Sequence, residues 1–285
     1  MTNKDHYGDN QNQGEYWNEL SGPKWVEEDT AMNIRMSLIT DWLFKTTLLQ
    51  KNQHVLDVGC GGGATTELAA KAVGNAGTVD GLDISKPLIK LAKARCDYLQ
   101  NVSFILGDAQ SYQLKKNYYN HIISRFGVMF FARPQQAFNN LRTSLQKDGK
   151  LSFACWSTLE ENEFFHVPLN IVLSQLNLPK PEVTRDPGPM SLSNSAYIRE
   201  ILQTAGFRDI HIKTIKTKMS SPDSIDKHAK LYLKIGPGAK IMGENKVSET
   251  TFRKILKSLR GELEKYRDGK QISLEATIHC ATAKN

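Results

Sequence analysis

Apolar residues follow no regular spacing over residues 1–14, "MTNKDHYGDNQNQG", and this polar stretch reads as disordered. "YWNELSGPKW" then sets three aromatic residues around a Gly-Pro turn. Ala31, Ile34, Leu38, Trp42 and Leu49 recur near helical spacing and predict one helix over 27–49. From residue 53 the rhythm changes. "HVLDV" is a short β-branched run ending at glycines, and "ATTELAAKAV" is a helix closed by Gly74. "TVDGLDI" is a strand, after which Ser85 can N-cap a helix with Pro87 in its first turn. "NVSFILGD" and "HIISRF" are further strands, "PQQAFNNLRTSLQ" is a helix stopped by "KDGK", and "KLSFACW" is a fifth strand. Such alternation predicts a parallel sheet with helices on both faces.

Residues 157–193 break this rhythm. "LPKPEVTRDPGPMSLS" holds four prolines and a glycine and reads as loop or lid. "NSAYIREILQTAG" returns to helix and "FRDIHIKTIKTKM" to strand. Two helical segments follow; in the second, Phe252, Ile255, Leu256, Leu259, Leu263 and Tyr266 form an apolar stripe expected to face the core. "ISLEATIHCATAK" alternates as a final strand. The resulting organisation is an arm over 1–50 contributing to a lid, a core over 51–156, and a lid insertion, C-terminal helices and last strands of the same domain over 157–285.

Composition adds little until charge is mapped. An apolar share of 40% in 285 residues gives ample core for a globular chain, and no apolar run is long enough for a membrane span. The polar N-terminus has no signal-peptide core, and the four scattered cysteines lack metal spacing, so the expectation is a cytoplasmic protein with reduced thiols and no metal. The net charge is +7, yet residues 208–285 hold 17 Lys and Arg against 9 Asp and Glu, so basicity is a C-terminal property. A solvated helical face accounts for it; a surface for an anionic partner is the alternative, without the basic-aromatic interleaving that would favour it.

The candidate chemistry starts at "VLDVGCGGGATTELAA". A glycine turn opening a helix after a strand serves ligands at the carboxyl ends of an open α/β sheet. Gly59-x-Gly61-x-x-Ala64 fits a dinucleotide fingerprint, and Asp83 follows at about the right distance for an NAD ribose. Asp57 argues otherwise. Beside a pyrophosphate at ~4 Å, with an effective dielectric near 20, its carboxylate costs on the order of 4 kcal/mol. A ligand with an ammonium or sulfonium reverses that sign, while its carboxylate takes backbone N–H groups at the helix start. Asp83 can accept both hydroxyls of a ribose. Asp108, in "GDAQ", can accept an adenine amine beside the N–H of Ala109. Amino-acid end, ribose and adenine together describe S-adenosylmethionine.

"VLDVGCGGG", "GLDIS", "GDAQ" and "SRFGVMFFARPQQAFNNLRTSLQKDGKLSFACW" resemble, in order, the motifs of class I S-adenosylmethionine-dependent methyltransferases. The small-molecule branch related to ubiquinone and menaquinone C-methyltransferases is the most similar, over about residues 50–156. The resemblance implies a Rossmann-like, seven-stranded, doubly wound α/β sheet, parallel with an antiparallel last strand, plus an N-terminal helical arm and inserted lid segments. It also implies that Gly59, Cys60 and Gly61 wrap the methionine moiety with Asp57 toward its amino group. Asp83 holds the ribose, Ile84 packs on adenine, Asp108 and Ala109 read its edge, and Arg125 and Phe126 approach the methionine end. Trp17 and Trp25 either close over the cofactor or staple the arm to the core.

The sulfonium already activates the methyl group, so alignment near 3–3.5 Å in a dry pocket can suffice without a base. Glu163 and His166, where the lid would begin, are the candidates for acid/base work, and the catalytic assignment stays open. Trp17, Trp25, Phe164, Phe165 and Met190 suit a small, partly apolar acceptor. "HIISRFG" lacks the [DNS]-P-P-[YFW] element of nucleobase-amine methylation, which argues against nucleic acid. A methyltransferase for RNA or protein acting through the basic C-terminal face, and a non-catalytic cofactor-binding protein, are the alternatives. Monomer and homodimer are both open.

Overall fold

The computed structural model describes residues 10–182 and 184–285. The expected disorder over 1–14 lies in part outside these residues. Within them it is corrected: Asn10 is buried and α1 (Gln11–Glu15) runs through a π-helical turn (Tyr16–Leu20) into α2 (Ser21–Arg35). Asn18 in this turn donates to the carbonyl of Ile84 (3.0 Å) and accepts from the Lys86 N–H (2.8 Å), which anchors the polar segment on the body.

The single helix expected over 27–49 is two, because the backbone breaks at Met36 before α3 (Ser37–Thr47). The helical period holds, and the buried face is a different one from that of the spacing. Ile34, Leu38 and Trp42 stay 46%, 46% and 36% exposed, whereas Met32, Met36, Ile39 and Leu43 enter the core.

Next come β1 (His54–Val58), α4 (Ala64–Val73), β2 (Thr78–Asp83), α5 (Lys86–Arg95), β3 (Val102–Leu106), β4 (Tyr119–Arg125), α6 (Pro134–Ser144) and β5 (Leu145–Trp156). Ser85 sits at the N-cap of α5 but does not cap it; its hydroxyl donates to the Trp17 carbonyl instead (2.8 Å). "KDGK" is not a stop between helix and strand. It lies inside β5, where Asp148 takes φ +61° and the pairing jumps from Tyr119–Leu145 to His121–Lys150.

The insertion contains an unforeseen helix, α7 (Glu163–Leu176), followed by irregular chain up to α8 (Ser195–Thr204). After β6 (Arg208–Ser221) there are three helices rather than two: α9 (Ile225–Lys234), α10 (Pro237–Glu244) and α11 (Glu249–Leu263). Ile255, Leu256, Leu259 and Leu263 of α11 are buried, as the stripe requires. β7 (Arg267–Asp268) and β8 (Gln271–Lys284) end the chain as a hairpin.

The sheet runs β3-β2-β1-β4-β5-β8-β6. β8 is antiparallel to both neighbours, and the two-residue β7 adds an eighth strand to the seven expected. Order reverses between β1 and β4, so the loops after these strands diverge over a crevice. Alternation along β1 divides its side chains. Val55 packs with Ala69, Ala70 and Val73 of α4 on one face, and Leu56 and Val58 join the larger core on the other. Among the described residues no helix is long and apolar enough to cross a membrane.

Candidate functional site

The crevice at the strand ends opens into a cavity of about 530 Å³. Backbone geometry brings its floor together. Gly59 takes φ +66°, and a Cβ there would stand 2.5 Å from the Cα of Gly127. Only glycine satisfies both the left-handed φ and this approach. The Ser124 hydroxyl donates to the Val58 carbonyl (2.7 Å) and accepts from the Gly127 N–H (3.2 Å), so the turns after β1 and β4 are tied together.

Three carboxylates surround this floor. Asp57 shares the Val55 face of β1 and is fully buried; the Thr65 and Thr66 hydroxyls of α4 both donate to its Oδ2 (2.7 Å each). Burial raises its pKa against these two bonds and the charge of Arg125. Asp83 accepts from the Gly61 N–H through Oδ2 and from the Ser85 N–H through Oδ1 (2.8 Å each). Burial nevertheless lifts its carboxyl to about 6. Asp108 accepts from the Gln110 N–H (3.0 Å) and is also raised by burial. Oδ1 of Asp57 and Oδ2 of Asp108 are buried without a partner among the described residues. Of the two, only Asp108 borders the cavity, and its orphaned acceptor calls for a donor from a ligand.

Arg125 lines the cavity, and its positive charge acts on Asp57. Its Nη1 donates to Thr40 Oγ1 and its Nη2 to Asn33 Oδ1 (2.6 Å each). Burial lowers its pKa to about 10 against the attraction of Asp57 and Asp29. Next to it Phe126 holds φ +67°, a costly conformation for a bulky residue, fixed by its N–H donating to the Ala154 carbonyl (2.9 Å). Phe126 stacks on Trp156 with centroids 4.0 Å apart and planes 8° off parallel.

The cavity lining includes Gly59, Cys60, Gly61, Asp83, Ile84 and Asp108, together with Ala109, Arg125, Phe126, Trp17 and Trp25. Asp57 lies behind the glycine loop rather than on the surface of the cavity. Burial pushes the Cys60 thiol well above its usual range, which leaves no thiolate for nucleophilic work. Trp17 meets Phe130 edge to face at 5.0 Å and stands 6.1 Å from Trp25, so the arm forms an aromatic roof.

Glu163 and His166 do not reach the cavity, and their candidacy as acid and base is corrected. Glu163 accepts the Glu275 N–H at the edge of β8 (2.6 Å), while His166 faces a separate groove against α11. Their neighbours Phe164 and Phe165 take the inward positions of the same helix. Sequence reasoning missed Asp29, Asn33 and Met32 of α2, Ile235 of the turn between α9 and α10, and Ile241 of α10, all of which line the cavity. The inward spacing Trp25, Asp29, Met32, Met36 is helical and was available; its polar members concealed it. Among the described residues no three His, Cys, Asp or Glu side chains are grouped to hold a metal ion.

The basic C-terminal region is largely paired internally. Lys230 reaches Asp226 (2.8 Å), Lys234 reaches Glu27 and Glu28, Lys265 reaches Glu262 (2.7 Å) and Lys284 reaches Asp209 (2.7 Å).

A family model described as a methyltransferase domain matches residues 55–149. Demethylmenaquinone methyltransferase of Staphylococcus aureus (strain MRSA252) is 32% identical over 80 residues, which is 28% of this chain and 33% of the relative. The chain thus spans about a third of the length of the curated relatives it matches. Among solved structures, YcgJ of Bacillus subtilis superposes with a TM-score of 0.56 at 18% identity, over 86% of this chain and 97% of that one. The phosphoethanolamine N-methyltransferase 2 of Haemonchus contortus, solved with S-adenosylhomocysteine, reaches 0.51 at 18% identity, over 85% and 51%. The [4+2]-cyclase SpnF reaches 0.52 at 17% identity, over 87% and 79%, so the fold alone does not dictate methyl transfer. Over residues 55–149 the chain is similar to a methyltransferase domain, and its sheet topology is that of the solved structures it superposes on.

Proposed function

We propose that the protein binds S-adenosylmethionine in this cavity and transfers its methyl group to a small, partly apolar acceptor. The observation that carries the reading is the orphaned carboxylate oxygen of Asp108 on the cavity lining. Oδ2 of Asp108 offers an acceptor to an exocyclic adenine amine, and Asp57 supplies negative charge beneath the loop for an ammonium. The residual lone pairs of Asp83 face ribose hydroxyls, and Ile84 gives the adenine an apolar wall. When bound, the cofactor supplies an electrophilic methyl group. The chain's own part is to orient the reactants and exclude water with the roof of Trp17 and Trp25.

Calorimetric titration tests this reading. S-adenosylhomocysteine binds at one site, and Asp108→Ala weakens it by about tenfold or more, as loss of a hydrogen bond to a charged acceptor demands. A chain that takes up neither S-adenosylhomocysteine nor S-adenosylmethionine overturns it.

A further inference from the structure

The cavity is far more acidic than the chain around it. Six carboxylates line it, against Arg125 and Lys240, in a protein of net charge +7. The cofactor reading uses Asp83 and Asp108, and Asp29 is spent on its ion pair with Arg95. Glu182 and Asp186 on the loop before α8, and Glu244 on α10, remain. All three are exposed at the rim, and Lys240, 3.9 Å from Glu244, offsets one of them. The wall they surround is aromatic. Phe126 stacks on Trp156, Trp156 meets Phe165 edge to face at 5.1 Å, and Phe165 meets Phe164 at 4.9 Å. An aromatic lining and a negative rim attract the same partner, an organic cation. An anionic acceptor would be repelled at the mouth, and a neutral one would gain nothing from these acids.

We infer that the acceptor is an amine carried on an apolar body, drawn in as its ammonium and leaving as a methylated ammonium held by the Phe126–Trp156–Phe165 wall. The inference rests on the methyltransferase reading and specifies its substrate class. The ammonium sheds its proton to water at the mouth, because the positive sulfonium beside its final position disfavours a second cation there. The freed nitrogen lone pair forms the N–C bond as the C–S bond breaks, and the C–S electron pair stays on sulfur. The sulfonium becomes a neutral thioether and the positive charge moves to nitrogen. A secondary or primary amine then releases its extra proton to solvent as the product departs.

Benzyltrimethylammonium mimics the methylated product, and neopentylbenzene is its uncharged isostere. Both are titrated into the S-adenosylhomocysteine complex, with Trp fluorescence as the readout, after cofactor uptake has been established calorimetrically. The cation should bind at least tenfold more tightly than the isostere and weaken as salt rises. E182Q, D186N and E244Q combined, at exposed positions that leave the fold intact, should cost the cation at least fivefold and the isostere nothing. Equal or weaker binding of the cation, no binding of the cation, or an unchanged affinity in the triple variant overturns the amine assignment. Failure of S-adenosylhomocysteine to bind at the outset would instead strike the methyltransferase reading itself.

Discussion

The two ends of the cavity are built in different ways. At the β1–β3 end, side chains stand at fixed offsets from strand termini, and backbone N–H groups hold them: Gly61 and Ser85 on Asp83, Gln110 on Asp108. At the other end, the rings of Phe126, Trp156, Phe164 and Phe165 come from two strand ends and a helix, and they are positioned by packing on one another. The first end keeps buried charge at a cost to the fold, and the second keeps apolar surface that stabilises it. Ligand binding and stability should therefore respond in opposite ways to substitutions at the two ends.

The largest expected effect tests the floor they share. Gly59→Ala combines left-handed strain of about 1–2 kcal/mol with overpacking against Gly127 of about 1–3 kcal/mol. The unfolding midpoint should fall by roughly 5–15 °C, and a fall below about 2 °C would show that the two turns can separate. Asp83→Asn probes the charged end. It should weaken S-adenosylhomocysteine by about 100-fold, since two charge-assisted bonds are reduced to bonds with a neutral amide that can accept through one oxygen only.

Stability should move the other way with pH. The folded pKa of Asp83, about 6, lies above the unfolded value near 3.8. The ionised form therefore disfavours the fold, by nothing below pH 3.8 and by up to about 3 kcal/mol above pH 6. The midpoint difference between Asp83→Asn and the parent should shift in the variant's favour as pH rises from about 4 to 7. A difference independent of pH would contradict the burial argument.

Trp156→Leu probes the aromatic end. It should cost about 1–3 kcal/mol of stability, from lost stacking and burial, while S-adenosylhomocysteine affinity stays within threefold. A large loss of that affinity would mean the ends are not separable. The smallest effects are expected outside the cavity. Glu163→Gln and His166→Asn should leave kcat/KM within twofold once an acceptor is found, and a hundredfold loss would restore their catalytic candidacy.

The same contrast explains what could be read from the sequence. Asp57, Gly59, Asp83 and Asp108 occupy strand-end positions whose spacing is set locally, so motif and chemistry coincide within a few residues. The aromatic wall draws on residues 126, 156, 164 and 165, and on α10 more than 70 residues later; no local pattern joins them. Period alone does not give the buried face. Ile34, Leu38 and Trp42 share helical spacing, yet α2 and α3 turn Met32, Met36 and Ile39 inward, with Asp29 and Asn33 on the cavity side. Ser85 was legible as a cap, but the arm recruits its hydroxyl to the Trp17 carbonyl, a contact across 68 residues.

Buried carboxylates should select an adenosyl ligand that carries an ammonium over a pyrophosphate. Thermal unfolding with S-adenosylmethionine, S-adenosylhomocysteine and NAD tests it most directly, each at about 100 times a typical dissociation constant. Binding there adds about 2.7 kcal/mol, so both sulfur ligands should raise the midpoint by roughly 5–10 °C, and NAD should not. A shift with NAD alone, or with none of the three, would contradict the account.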